Sequence, residues 1–428
     1  MIDLHVLREN PKEAERLLQT KRPECSVNKA VALDERYRKV HQEVEEARGE
    51  KNAKSRQIPQ LHEKERMVLL RELKRLDEKL TKKEKECSVL AAALEHELLT
   101  LPNFPRPDVK AGASEKENEV LRTVGDPPHF PFSALQAHEI AEKLQVADLP
   151  RATKTSGSHF VYFQGALVHL ELALLRYLFS RLLPKHFVPI LPPVLINRKS
   201  MEGMGYLQHG GEVETYHLPK DDLYLVGTAE QSIGPMLQEE VLAAAELPKR
   251  YIAYSPSFRR EAGGYGKDTK GFFRVHQFSK AEMFSFTTAD ASDAEHELFL
   301  SLEEELMRGL NIPYRVIKMC TADLGDPAAR KYDIEAWFPG QQRYRETHST
   351  STCTDFQSRR LNIRYRTGKG TAYVHTVNGT AFAMGRILMA IMENYQTATG
   401  DVHVPDVLQP FCEFALFSEA QGGNVVHS

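Results

Sequence analysis

Between Leu33 and Leu98 the chain is rich in Glu, Lys, Arg, Leu and Ala, and Gly49 and Pro59 are its only helix breakers. So long a stretch without turn residues folds most readily as long helices. Apolar residues recur at three-four spacing through Leu33, Tyr37, Val40, Val44 and Ala47, then again through Leu69, Leu73, Leu76, Leu80, Cys87, Leu90 and Leu94. Each run makes one narrow seam of the width that a two-helix contact buries. Between them, in KNAKSRQIPQLHEKER, the apolar pattern lapses and Pro59 removes a backbone donor. Two helices joined there fold back as an antiparallel hairpin, tens of ångströms long at about 1.5 Å per residue. Near the turn Lys51, Lys54 and Arg56 stand in a run without an acid, and Lys64, Arg66, Arg71, Lys74 and Arg75 follow on the descending helix. Such a strip suits a phosphate backbone, while a dimerisation rod or a solvated charged hairpin fits the same composition.

After Leu98, LPNFPRPDV carries Pro102, Pro105 and Pro107 and reads as a linker, which divides the chain into an arm, 1–104, and a second domain, 105–428. In that domain ALVHLELALLRYLFSRLL and the stretch from Gly379 to Tyr395 read as helices. LYLVGTAE, RYIAYSPSF, YRVIKM and FFRVHQFSKAEMF read as strands. Strands in runs with helices alongside, without βαβ alternation, predict an α+β class with a mostly antiparallel sheet flanked by helices. A net charge of −3 over 428 residues argues against a globally basic nucleic-acid binder and permits a local basic surface. The first residues lack an apolar signal core and the best apolar run is interrupted by Glu171 and Arg176, so no membrane span is expected and the cytoplasm is the expected compartment. Five scattered cysteines, without a CxxC or a His cluster, predict reduced thiols and no zinc.

The stretch SFRREAGGYGKDTKGFFRVHQF, 257–278, sets cations and glycines between aromatic flanks. It is no P-loop: Asp268 follows the lysine where Ser or Thr is needed, and the glycine spacing is wrong. A strand ends at Phe258, a Gly-rich turn comes next, and alternation in the returning strand sets Arg274, His276, Phe278, Lys280 and Glu282 on one face. Cations, an aromatic ring and a carboxylate make a poor core wall, so that face is expected to line a polar site; an ordinary surface hairpin is the plainer alternative.

That stretch, continued by SKAEMF, resembles motif 2 of the class II aminoacyl-tRNA synthetases in the form found in seryl-tRNA synthetases. LPPVLINRKSMEGMGYL, with Pro193, resembles motif 1; GTAEQSI resembles the TxE serine-site motif; NGTAFAMGRILMAIMENYQ resembles motif 3; and ETHSTSTCTDFQSRRLNIRYR resembles the segment between motifs 2 and 3. With the helical arm ahead of them, the likeness covers essentially the whole chain. It implies a class II catalytic domain, a homodimer, and the substrates ATP, L-serine and tRNA(Ser), with tRNA(Sec) a second candidate. By the same resemblance Arg259 and Arg386 are the catalytic cations. The serine site is Thr228, Ala229, Glu230, Arg259, Glu282, Asn378 and Thr380. The ATP site is Arg259, Arg260, Glu261, Arg274, Val275, Phe278, Glu346, Thr347, His348, Ser349 and Arg386, with Glu346 and Ser349 holding Mg²⁺. The arm residues Lys51, Lys54, Arg56, Lys64 and Arg66 are the expected tRNA contacts.

Arginine's planar fork suits phosphate oxygens, and a flat aromatic face suits a purine, so these residue types fit the chemistry the resemblance implies. Two positions depart from the family pattern: His348 stands where the first of a serine pair is usual, and Thr352 where asparagine is common. They keep two other readings open, a paralogue impaired in catalysis and a serine-activating enzyme that loads a carrier protein.

Overall fold

The computed structural model describes residues 1–262, 271–412 and 414–418; the Gly-rich tip 263–270 lies outside the described residues. The chain divides into two compact units, Met1–Pro102 and Asn103–Ser428.

In the first unit α1 (Leu4–Glu9) and α2 (Pro11–Gln19) precede the long helices α3 (Asn28–Gln57) and α4 (Glu63–Thr100). A single tight turn, Ile58–Gln60, joins the long pair and contains Pro59. The seam read from the sequence is the buried one: Val40 and Val44 on α3, and Leu69, Leu73, Leu80, Leu90 and Leu94 on α4. Ion pairs between the two helices flank it, Lys29 with Glu97, Glu43 with Lys83, Arg48 with Glu84, and Lys54 with Glu72.

These pairs correct the reading of the tip as a run of uncompensated cations. Lys51 pairs with Asp77, and Lys54 with Glu50 and Glu72. The acids come from the facing helix and from one turn back, neither of which a scan of residues 51–62 includes. Arg56, Lys64 and Arg66 are exposed, and among the described residues no acid pairs with them.

The second unit is organised by an eight-stranded sheet. Its strands are β1 (Glu119–Val124), β2 (Phe187–Ile190), β3 (Lys249–Phe258), β4 (Gln277–Thr287), β5 (Tyr314–Lys318), β6 (Arg330–Phe338), β7 (Arg343–Thr354) and β8 (His375–Ala383). They lie in the order β1-β5-β6-β7-β8-β4-β3-β2, antiparallel throughout except for β2 beside β3. Helices α5 (Ala166–Leu182), α6 (Ser292–Gly309) and α7 (Met384–Asn394) contribute Leu170, Phe299 and Ile387 to one apolar core with Met283, Ile334 and Val377 of the sheet.

Two irregularities aim the side chains of the opposite face. Between β6 and β7 the pairing slips from Ile334↔His348 to Glu335↔Glu346, leaving Thr347 as an extra residue. Between β4 and β8 it slips from Ala281↔Phe382 to Glu282↔Thr380, leaving Ala381 extra. Each bulge shifts the in-out alternation by one.

Three sequence expectations are revised. Gly379–Ala383 is not helical: it ends β8, and α7 starts at Met384. Here Thr376, Val377, Asn378 and Gly379 pair with strands on both sides, and Thr380 and Phe382 pair with β4, which outweighs the helical spacing of residues 384–394. The returning strand begins at Gln277, so Arg274 and His276 lie outside it and its alternation does not reach them. In LYLVGTAE only Leu223–Leu225 is strand, and Glu230 opens the four-residue helix Glu230–Ile233.

At Gly379 the sheet packs closely against Phe299 and Glu303 of α6. A Cβ there would lie 3.0 Å from Oε1 of Glu303, 3.1 Å from Phe299 and 3.1 Å from Oγ1 of Thr350. Gly379→Ala is therefore expected to destabilise the fold by about 1–3 kcal/mol, measured as a lowered denaturation midpoint in urea.

Candidate active site

On the face opposite α5, α6 and α7, the ends of β3, β4, β7 and β8 enclose a cavity of about 250 Å³. Arg259, which follows β3, and Arg386, in the first turn of α7, reach it from two sides. Phe278 of β4 and Thr380 of β8 line it, as do Glu346, Thr347 and Ser349 of β7. Glu261, Arg274 and Val275 complete the predicted set, held there by the irregular segment before β4. A second cavity of about 480 Å³ adjoins the first, shares Arg259, Glu261, Arg274, Glu346 and Arg386 with it, and adds Thr228.

Each cation has a fixed support. Arg259 donates from Nε to the Gly227 carbonyl at 3.1 Å, and its guanidinium stands 5.4 Å from the centre of the Phe278 ring. Arg386 donates to the Glu346 carbonyl at 3.1 Å, pairs with its carboxylate at 3.1 Å, and lies 4.6 Å from the centre of the Phe273 ring. Arg274 pairs with Glu261 at 2.5 Å. Withdrawal from bulk water raises the Glu346 carboxyl, but the charges of Arg386, Lys331 and Arg259 outweigh this and hold it at about 2. Glu346 is therefore a carboxylate at any physiological pH, and together with the Ser349 hydroxyl it offers the hard oxygen donors that Mg²⁺ favours. Among the described residues no group of three or more His, Cys, Asp or Glu is arranged around a metal position.

Beneath the cavities lie the buried acids Glu230 and Glu282. Lys280 pairs with Glu282 and donates to Oγ1 of Thr228 at 3.4 Å, while the Tyr206 hydroxyl donates to Glu230.

Besides these two acids, four predicted residues are not on the cavity walls. Arg260 turns away, stacking 4.5 Å from the centre of the Tyr216 ring and donating to the Thr215 carbonyl at 3.1 Å. Ala229 packs with Met204, Ile233 and Phe284 in a second apolar cluster. Asn378 is buried and donates toward Sγ of Cys353 at 3.7 Å. His348 faces the helices: the bulge at Thr347 puts Glu346 and Ser349 on the cleft side, and the imidazole packs 5.9 Å from the Phe382 ring. Burial pushes His348 down to about 3, so it is neutral.

Lys280, Lys331, Phe273 and Gln277 line the cavity and are not among the predicted site residues. Strand alternation puts Lys280 on the correct face but assigns it no role. Lys331, raised by its neighbours Asp333 and Glu346 against the effect of burial, arrives from β6, where only Lys331-x-Asp333 alternation hints at a polar face.

Residues 213–395 match the class II core domain of tRNA synthetases (G, H, P, S and T), and residues 1–105 match the seryl-tRNA synthetase N-terminal domain. A serine–tRNA ligase of Acidothermus cellulolyticus is 43% identical over 96% of this chain and 98% of its own. The chain belongs to the seryl-tRNA synthetases. A second relative of this synthetase, the serine–tRNA ligase of Geobacter sulfurreducens, is 42% identical over the same shares. The crystal structure of the Pyrococcus horikoshii seryl-tRNA synthetase complexed with ATP superposes with a TM-score of 0.90 at 36% identity, covering 97% of this chain and 99% of that one. The Naegleria fowleri cytoplasmic enzyme in complex with AMP gives 0.86 at 31% identity, covering 98% and 99%. No helix among the synthetase's described residues is long and apolar enough to cross a membrane.

The buried, neutral His348 makes a pH prediction. A histidine whose folded-state pKa is depressed contributes stability that is complete above the unfolded value near 6.5 and is lost as pH falls toward 3. In His348→Phe the fall of unfolding free energy between about pH 6 and pH 4 should be shallower by about 1.4 kcal/mol per pH unit, measured by chemical denaturation across pH.

Proposed function

We propose that the synthetase joins L-serine to ATP as seryl-adenylate in the described cleft and then transfers the seryl group to the 3′ end of tRNA(Ser). Convergence of Arg259, Arg386 and Glu346 around one cavity, above the acids Glu230 and Glu282, carries this reading. The serine carboxylate attacks the α-phosphorus in line, and pyrophosphate leaves. The attacking group is already ionised, so no general base is needed. Negative charge grows on the phosphates, and cations that are already oriented stabilise it without rearranging. Arg259 is assigned to the α-phosphate and the serine carboxylate, and Arg386 to the far phosphates. The Phe278 face is assigned to adenine, with Glu261, in its pair with Arg274, on the base side. Glu346 and Ser349 would hold Mg²⁺, which when bound neutralises phosphate charge.

Glu282, Thr228 and Glu230 are assigned to the substrate ammonium, and Thr380 to its hydroxyl. A pocket built to hydrogen-bond that hydroxyl rejects alanine by roughly 10⁴-fold, because buried partners would be left unpaired. Arg260, Ala229, His348 and Asn378 are left supporting roles, since their side chains face away from the cavity walls. At the arm, Arg56, Lys64 and Arg66 are the free cations offered to tRNA phosphates, in a homodimer working in the cytoplasm. tRNA(Sec) stays a second candidate acceptor. The arm and its match to the N-terminal domain of the family weigh against a carrier-loading enzyme.

Pyrophosphate exchange is expected with serine and not with alanine, threonine or glycine at comparable concentration. Arg259→Ala and Arg386→Ala should each lower it by on the order of 10²–10³ while leaving the unfolding midpoint in place. Deleting residues 34–98 should spare exchange and abolish charging; full charging by the deletion would remove the arm from the mechanism.

A further inference from the structure

Thr228, Glu230 and Glu282, the groups assigned to the substrate ammonium, surround a side chain with no role in that assignment. Lys280 leaves β4 two residues before Glu282, on the same face, and is 7% exposed while Glu282 is 1% exposed. Its ammonium pairs with Glu282 and donates to Thr228 at 3.4 Å. Glu230, 3% exposed, accepts from the Tyr206 hydroxyl, and among the described residues no cation forms an ion pair with it. Of two buried carboxyl groups close to one ammonium, only Glu282 is paired with it.

We infer that Lys280 is a specificity-determining residue that leaves this site one positive charge short, so that a substrate's α-ammonium enters by replacing the proton that Glu230 carries. The Glu230 O–H bond breaks, the proton passes to water, and the incoming ammonium supplies the second cation. Each carboxylate then has one. Burial first, and the Glu282 charge second, push Glu230 up to about 7; Lys280, the Tyr206 hydrogen bond and Arg259 oppose them. The other groups around it act in the same balance: Tyr206 is itself raised by burial and by Glu230, with Cys353 beside it, and Glu303, on α6 beneath Gly379, is raised by burial and by the charges of Asp333 and Glu282. Charge counting of this kind favours amino acids over hydroxy acids of the same size, which bring no cation to exchange for the proton.

The sign comes from linkage. An ammonium stabilises the ionised form of Glu230, so serine binding lowers its pKa and releases a proton wherever the free site is still protonated. Serine affinity therefore strengthens as pH rises toward 7 and levels above it.

This inference rests on the serine-activating reading, and one experiment separates the two. Serine binding to the full-length protein is followed by calorimetry in two buffers of different ionisation enthalpy at pH 6, 7 and 8. Wild type should release close to one proton at pH 6, about half at pH 7 and little at pH 8. In Lys280→Met the substrate ammonium becomes the only ammonium beside the two acids, with Arg259 unchanged, which reproduces in the complex the charge balance that the wild type has alone. The window of release then moves upward, and the variant should release most of a proton at pH 8, while Lys280→Arg keeps the wild-type profile. Serine binding to the wild type without proton release at any of the three pH values overturns the inference alone, as does a Lys280→Met profile identical to wild type. Absence of any serine binding or serine-dependent exchange overturns the reading beneath it as well.

Discussion

Glu282 pairs across the sheet with Thr380, and Lys280 with Ala383, one residue more than simple alternation allows. On that slip depends the layout of the cleft. It lets Thr380 and Ala383 both face the cavity while Phe382, between them, turns to the helices and packs against Tyr177 and His348. The bulge at Thr347 does the same for Glu346 and Ser349. A pleated sheet sends neighbouring side chains to opposite faces, and two bulges on adjoining strands concentrate more polar groups on one patch than pleating alone would place there.

Such a concentration of charge needs internal compensation. Arg259, Arg386, Lys280 and Lys331 all reach one small cavity, and each rests on a carbonyl, a carboxylate or a ring: Gly227 and Phe278, Glu346 and Phe273, Glu282, and Asp333. These supports fix the cations in space before any ligand arrives, which gives a site for phosphate its strength. One of these carboxylates and a neighbouring acid are left in deficit. Glu230 and Asp333 are each pushed up to about 7, chiefly by burial, so the cleft contains acids poised near neutrality as well as permanent charges. Perturbed acids of this kind gather where a site is built for charged ligands.

Much of this is legible in the order of residues. The arm's two helices, their seam and the turn at Pro59 come from periodicity, because a contact between two neighbouring helices is local in sequence and repeats every three or four residues. The predicted site residues of the catalytic domain, from Thr228 to Arg386, line the cavities or lie buried directly beneath them, except for Arg260, Ala229, His348 and Asn378. These exceptions share one cause. Each lies beside or close to a residue that does face the site, and sequence adjacency carries no information about which way a backbone turns at a strand end, a short helix or a bulge. The same limit explains the helix wrongly extended back to Gly379, where pairing on both sides of β8 overrode local spacing.

The amino-acid sequence by itself determined the long helices and the α+β class of the catalytic domain, since those depend on composition and short-range pattern, and its likeness to a known family named the side chains of the site. Only the tertiary structure decided where Lys280 and Lys331 go, which cations of the arm are neutralised by acids, and that His348 belongs to the core. Each of these depends on Coulomb interactions and burial between residues on different strands or helices. Such energies vary with distance in space, which pairing across the sheet and between helices sets and neighbouring letters do not.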